Sequence, residues 1–313
     1  MKFSVGLQYG DESFLEEILK YRGKIDEVYF SWGDMASGRG RANTGKGLPP
    51  WETMELQLDA LRRLSGAGVR LNLLFNAECY GEKSLARSLY EKIGDVTDYV
   101  RSRFCLASVT TTSPTIARFV RDNFPDLHVR ASVNMEIGTV EAMEYLGDLF
   151  DGFYVKREYN RDLDRIRALH AWCERNGKLL YLLANSGCMN HCPARHYHDS
   201  LVAHEDGIRQ MDNAYTFKGL CREYFGKPEN REMVLTRLNF IRPEDIPKYE
   251  PYIAAVKLAT RVSRAPAQIL RSYAEGRYAG DLLALLEPAQ SVYPYVLENG
   301  EPPRLVKLET DNV

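Results

Sequence analysis

Short runs of β-branched, aromatic and aliphatic residues recur along the chain, separated by stretches whose apolar positions repeat every three or four residues. The runs are FSVGLQ from Phe3, EVYFSW from Glu27, RLNLLFN from Arg70, FCLAS from Phe104, HVRASV from His128, GFYVKR from Gly152, LLYLLAN from Leu179 and AAVKLA from Ala254. Between them, Trp51, Met54, Leu58 and Leu61 fall at i, i+3, i+7 and i+10, on one helical face. Ser113-Pro114 reads as a helix N-cap followed by proline at the first helical position. Leu163, Ile166, Leu169 and Trp172 place a further helix within Arg161 to Cys173. Eight strands alternating with helices predict an α/β fold with a parallel sheet, and that number closes a (β/α)8 TIM-like barrel. An open doubly wound sheet is the competing arrangement.

The connections are uneven. About seventy residues separate the seventh run from the eighth, Asn185 to Ala254, where a barrel needs about half that. This excess carries three of the six cysteines and four of the six histidines. A second long connection, Ser31 to Pro50, follows the second run. Both lie on the C-terminal side of their strands, the face where barrel enzymes build active sites. The expected organisation is one barrel domain over residues 1–286, with a cysteine- and histidine-rich insertion at 185–250 and a wrapping tail at 287–313. Polar residues cluster at the strand ends: Gln8, Ser31, Asn76, Ser108, Ser132, Asn134, Lys156, Arg157, Asn185, Ser186 and Lys257. Taken singly, each is what a strand meeting water requires. Taken together they read as the lining of a polar pocket.

Composition narrows the class. With 41 basic and 43 acidic residues the 313-residue chain carries a net charge of −2, which excludes a generally basic nucleic-acid coat. The first residues, MKFSVGLQYGDESF, hold no long apolar segment, and no stretch reaches the length of a membrane helix. A cytoplasmic, soluble protein without membrane contact is expected. In a reducing compartment the cysteines are expected to be ligands, core residues or reactive thiols before disulfides.

The strongest local motif is NSGCMNHCPARHYHDSLVAH, Asn185 to His204. Cys188 and Cys192 stand four apart on a turn that Pro193 ends, so two thiolates there can grip one metal or cluster. Cys221 supplies a third thiolate from further along, and Cys79, in FNAECYG at the mouth of the third strand, is a candidate fourth. Four soft thiolates fit Zn(II) or an iron–sulfur cluster. Cys105 and Cys173, in a strand and on a helix face, fit buried structural roles instead. His191, His196, His198 and His204 keep zinc in play, although no second close pair stands at zinc-finger spacing. GRANTGKG, Gly40 to Gly47, approaches a P-loop but lacks the Ser or Thr after Lys46, so it reads as a basic loop with Arg39, Arg41 and Lys46. In FIRPEDIPKYE, from Phe240, Arg242 is placed to clamp a carboxylate.

Asn185, Cys188, Cys192, Pro193, Arg195, His198 and His204, together with FIRPEDIPKYE, AAVKLATR and LLFNAECYG, resemble the collagenase-like peptidase U-32 family over the region from the first strand to about Leu286. Better understood members of that family are oxygen-independent hydroxylases that hold a [4Fe–4S] cluster on four cysteines in a barrel-like fold. The resemblance implies that Cys79, Cys188, Cys192 and Cys221 bind such a cluster, with zinc as the alternative metal. Some relatives modify ubiquinone precursors and act in pairs, which implies a paralogous protein partner. Others modify RNA and carry a further C-terminal domain without counterpart here, so a small anionic molecule or peptide is expected rather than RNA.

The leading expectation is an iron–sulfur barrel enzyme performing redox or oxygen-transfer chemistry. Arg195, Arg242 and Lys257 would attract carboxylates, and Asn76, Lys156, Arg157 and Asn185 would orient polar substrate groups. His198 or His204 would move protons, with Arg195 beside them. A peptidase, following the family's historical label, has no visible nucleophile–base pair or His-Glu-x2-His motif. The third possibility is a non-enzymatic metal-bearing scaffold.

Overall fold

The computed structural model describes residues 1–33, 35–38 and 50–309. Eight parallel strands close a barrel in sequential order: β1 (Phe3–Gly6), β2 (Ile25–Phe30), β3 (Leu71–Phe75), β4 (Leu106–Thr111), β5 (His128–Ala131), β6 (Gly152–Tyr154), β7 (Leu179–Leu183) and β8 (Ala255–Leu258). Each falls within or beside an expected run. Closure is made by β1 pairing with β8, where Ser4 stands opposite Lys257. The helices before β7 are α1 (Glu12–Lys20), α2 (Pro50–Gly66), α3 (Arg87–Arg103), α4 (Pro114–Asn123), α5 (Val140–Leu146) and α6 (Leu163–Arg175). The long connection after β7 holds α7 (Arg195–Ala203), α8 (Glu205–Arg209), α9 (Leu220–Gly226) and α10 (Val234–Arg237). Then α11 (Pro266–Glu275) follows β8, and β9 (Tyr295–Glu298) and β10 (Arg304–Lys307) form an antiparallel hairpin. The closed ring excludes the open sheet.

Local chemistry explains the helix starts. Ser113 accepts a hydrogen bond from the Ile116 N–H at the head of α4, with Pro114 following, as its sequence predicts. Asp11 and Asp162 cap α1 and α6 in the same way. The apolar faces of these helices pack on the outward faces of the strands: Val28, Phe30, Leu73, Phe75, Val109, Val129, Leu182 and Val256 are all buried in one hydrophobic layer. Alternate residues point the other way, into the barrel, and many are polar: Ser4, Glu27, Asn72, Ser108, Thr110, Arg130 and Lys257 are all buried. This barrel therefore places its apolar core between sheet and helices and a polar cluster at its centre.

The chain after α11 returns to the rim. Residues 185–187 pair with Glu287, through Glu287 N–H to the Asn185 carbonyl and Gly187 N–H to the Glu287 carbonyl, both 2.9 Å. Asp281 then accepts from the Leu283 and Leu297 N–H groups, fixing the hairpin. Among the described residues no helix is long and apolar enough to cross a membrane.

Candidate active site at the barrel rim

Glu27 lies at the middle of the barrel, 1% exposed, and among the described residues its hydrogen-bond and ion-pair partners come from other strands. Asn72 Nδ2 of β3 donates to it at 2.7 Å, Ser108 Oγ of β4 at 2.9 Å, and Arg130 of β5 forms an ion pair at 2.5 Å. Burial alone would raise the Glu27 carboxyl, but Arg130 and the hydrogen bonds from Asn72 and Ser108 hold it below the usual carboxylate range. The Arg130 guanidinium in turn lies 4.2 Å from the Tyr181 ring.

Nearer the C-terminal ends of the strands sits Lys257, 7% exposed. Its Nζ lies 4.2 Å from the Tyr29 ring centre and 5.4 Å from that of Tyr154. Among the described residues it has no hydrogen-bond or ion-pair partner. Burial pushes it down to about 7, and the charges of Arg261, Arg157 and Arg130 add to that, against the opposite pull of Glu27. Buried Arg157 hydrogen-bonds Asn134 Oδ1, and buried Arg261 reaches Ser31 Oγ at 3.3 Å and Ser37 Oγ at 3.1 Å. Asn76 Oδ1 accepts from the Gly38 N–H at 3.1 Å. A Cβ at Gly38 would lie 2.6 Å from Asn134 Nδ2 and 2.9 Å from the Asn76 carbonyl, so only glycine lets the chain cross these two asparagines. The mouth thus gathers three buried cations, Lys257, Arg157 and Arg261, beside the Tyr29 and Tyr154 rings.

Beside it, the connection after β7 gathers the thiols. Cys188, Cys192 and Cys221 line one cavity together with Arg195, His198 and Phe217. Burial pushes the Cys221 thiol up, and the proximity of Cys188 and Cys192 adds to that. Arg195 fastens the start of α7 through ion pairs with Glu136 and with Glu158 at 2.7 Å, and donates to the Met189 carbonyl at 2.8 Å. Glu136 has a left-handed backbone, φ 50°, that non-glycine residues rarely adopt. Its carboxylate also meets Lys156 at 3.7 Å and Arg157 at 3.5 Å. Arg195 is thus a tie between the cysteine loop and the barrel.

Other expected site residues have different surroundings. Asn185 spends both ends of its amide on backbone, donating to the Ala259 and Leu285 carbonyls and accepting from the Ala259 N–H. Arg242 forms a two-point ion pair with Asp245 and donates to the Gly300 carbonyl at 2.8 Å, holding the hairpin. His204 is exposed and lines a separate cavity of about 560 Å³ with Lys83 and Asp206. Cys79 does not line the thiol cavity; its Sγ accepts from the Gly81 N–H at 3.2 Å. Its neighbour Glu78 meets His196 Nδ1 at 2.9 Å, so that segment runs along α7. Arg39, Arg41 and Lys46 lie outside the described residues.

Three thiols of one cavity are the soft donor set that iron–sulfur and zinc sites use. The space they enclose is about 30 Å³, one water's share, and among the described residues no three His, Cys, Asp or Glu side chains converge as the ligands of one ion do. The donor chemistry therefore fits such a group, while holding it requires the loop and α9 to adjust around it.

Glu27, Arg130, Tyr29, Tyr154, Glu136 and Glu158 were not anticipated as site residues. The alternation Glu27-x-Tyr29-x-Ser31 and Ser108-x-Thr110 carries the signal, a polar stripe along one face of a buried strand.

No protein-family model and no curated protein match this chain. Among solved structures, the fold is similar to that of the U32 peptidase Mk0906, at a TM-score of 0.57 and 16% identity, over 83% of this chain and 92% of that one. A glycoside hydrolase family 5 mannosidase from Rhizomucor miehei aligns over 92% of this chain and 94% of its own, at 10% identity and a TM-score of 0.45. At such identities the first likeness is one of fold, and the chain has a U32-like TIM-barrel fold.

Proposed function

We propose that this protein is a barrel enzyme in which Cys188, Cys192 and Cys221 hold an iron–sulfur cluster beside a cationic mouth that takes a small anionic substrate. The single observation that supports the reading is that three cysteines from two distant segments line one cavity at the rim where barrel enzymes work. Bound there, such a cluster would supply one-electron chemistry, and redox or oxygen-independent hydroxylation is the reaction class. Cys79 would serve as the fourth ligand only if its segment moved toward that cavity; otherwise Cys188, Cys192 and Cys221 alone would hold the group. The protein's own residues do the rest. Lys257 and Arg157 draw the anion into the mouth, the Tyr29 and Tyr154 rings wall it from water, and His198, at the edge of the thiol cavity, is placed to carry a proton.

Anaerobic purification tests this directly. Brown protein with about four irons and four sulfides per chain is expected, and Cys188→Ala or Cys221→Ala should strip them while Cys173→Ala should not. Colourless protein with one zinc moves the site to a structural metal and the protein toward a scaffold role. Protein with no metal at all after anaerobic isolation overturns the reading.

A second reading is favoured by His198, which shares its cavity with the three thiols in a Cys/His grouping of the kind that activates a nucleophile. A thiol hydrolase of peptides, in line with the name of the U32 neighbour, would then hydrolyse without metal. Peptide hydrolysis abolished by iodoacetamide but unaffected by chelators would establish it; hydrolysis indifferent to alkylation would end it.

A further inference from the structure

A cavity of about 820 Å³ lies between the segment after β8 and the returning tail, sharing Pro288 with the thiol cavity. Its lining has a consistent charge. Three guanidinium groups face it, Arg222, Arg231 and Arg264, against one acid, Glu287. The Arg222 and Arg264 side chains are exposed and make no hydrogen bond or ion pair among the described residues. Arg231 is different, being only 1% exposed. It donates to the Phe225 carbonyl at 2.7 Å and the Gln290 carbonyl at 3.3 Å, yet its Nε has no partner and no carboxylate pairs with it. Among the described residues its charge is offset only by Asp281, which lies beyond ion-pair distance, and by the Tyr295 ring 5.8 Å away, so an anion in the cavity would meet an under-compensated buried cation.

The helix geometry agrees. The ten-residue α11 starts at this cavity, with Ala265 at its N-cap and Pro266 next, and no side chain caps it. Ser263 Oγ takes the Ala265 N–H at 3.1 Å and Pro266 has none, so the open donors of the first turn are those of Ala267 and Gln268, at the positive end of the helix dipole, with Ala265 and Gln268 lining the cavity. The remaining wall is apolar, with Phe225, Leu286 and Val292. The volume is that of a small-molecule site and not of a single ion.

We propose that this cavity is a second ligand site, taking a small molecule with a phosphate-monoester head and an apolar body. The head sits among Arg222, Arg231, Arg264 and the α11 N-terminus, and the body lies on Phe225 and Val292. The site does not depend on what the thiols hold, because none of the three guanidinium groups bonds a thiol among the described residues; the link is the Arg222 backbone N–H, which bonds the Cys221 sulfur. Cys221 and Arg222 are consecutive on α9, however, so occupancy here would be felt at the thiol cavity.

Calorimetric titration of the full chain with phenyl phosphate, inorganic phosphate and benzyl alcohol tests it. One saturable site per chain is expected, with phenyl phosphate the tightest of the three. Arg222→Gln with Arg264→Gln should weaken phenyl phosphate about tenfold or more. Ala265→Asp, which caps α11 and places a carboxylate in the site, should abolish binding while leaving the protein folded. Absence of saturable binding, benzyl alcohol matching phenyl phosphate, or undiminished binding by either variant would overturn the proposal. Metal and sulfide content measured on the same samples should be unchanged in both variants, which separates this site from the thiol reading.

Discussion

Glu27 of β2 and Arg130 of β5 form an ion pair at 2.5 Å across the inside of the barrel, with 1% and 4% of their side chains exposed. Such a pair contributes little net stability over an apolar pair, but breaking it from one side leaves an uncompensated buried charge. Glu27→Gln should therefore lower unfolding free energy by about 3–5 kcal/mol, read from denaturant midpoints. Glu27→Leu combined with Arg130→Met should recover most of it. Because the folded state holds Glu27 below its ordinary range, its contribution is present above the unfolded carboxylate pKa and fades as pH falls through the folded one. A loss below about 1 kcal/mol for Glu27→Gln would place this pair in solvent.

Lys257 gives the opposite pH dependence. Its folded pKa is pushed down to about 7, while the unfolded chain keeps it near the ordinary lysine value. Between those two values the unfolded state binds more protons, so this group adds stability as pH rises, by up to about 5 kcal/mol across the window. Below pH 7 the lysine is charged in both states and the cost of burying it is complete. Lys257→Met should be more stable than the parent at pH 7, with the difference shrinking toward pH 10. A difference that does not vary with pH would mean that the ammonium finds a counter-ion.

Asn185 ties three pieces of backbone, the end of β7, the residue after β8 and the tail at Leu285. Asn185→Ala removes these bonds in a buried setting and should cost about 2–3 kcal/mol. If the role is structural, as these bonds imply, the loss appears in thermal and chemical unfolding equally with and without substrate. A variant with parental stability but weakened anion binding would return Asn185 to the substrate.

The cysteines should separate by alkylation. Cys105 stands just before β4 and is exposed, not buried as its apolar run suggests, whereas Cys173 is buried in the helix–sheet layer, where burial pushes its thiol up to about 12. Iodoacetamide at pH 8 should label Cys105 readily in native protein and leave Cys173 untouched until denaturant is added, as peptide mass spectrometry would read. Equal rates at the two positions would contradict the burial of α6 against the barrel.

Strand number, strand order and most helix starts were legible in the chain because they follow from local rules. Hydrophobic runs of four to six residues, a Ser-Pro cap and a three-to-four residue apolar spacing act within one element. The cysteine connection was legible as well, because its excess length and its donor residues both stand out locally. Alternation told that Glu27, Tyr29 and Ser31 share a face of β2, but not that this face looks into the barrel, since strands of a helix-covered barrel are buried on both sides. Only closure of the ring decided that Glu27 meets Arg130, that Lys257 lies between Tyr29 and Tyr154, and that Arg242 and Asn185 bind backbone. These are contacts between residues tens to hundreds of positions apart, and no local pattern encodes them. The sequence by itself thus determined an eight-stranded α/β barrel with a thiol-rich rim; the tertiary structure decided which polar residues became its interior, which cysteines share a cavity, and which cations remain open to a ligand.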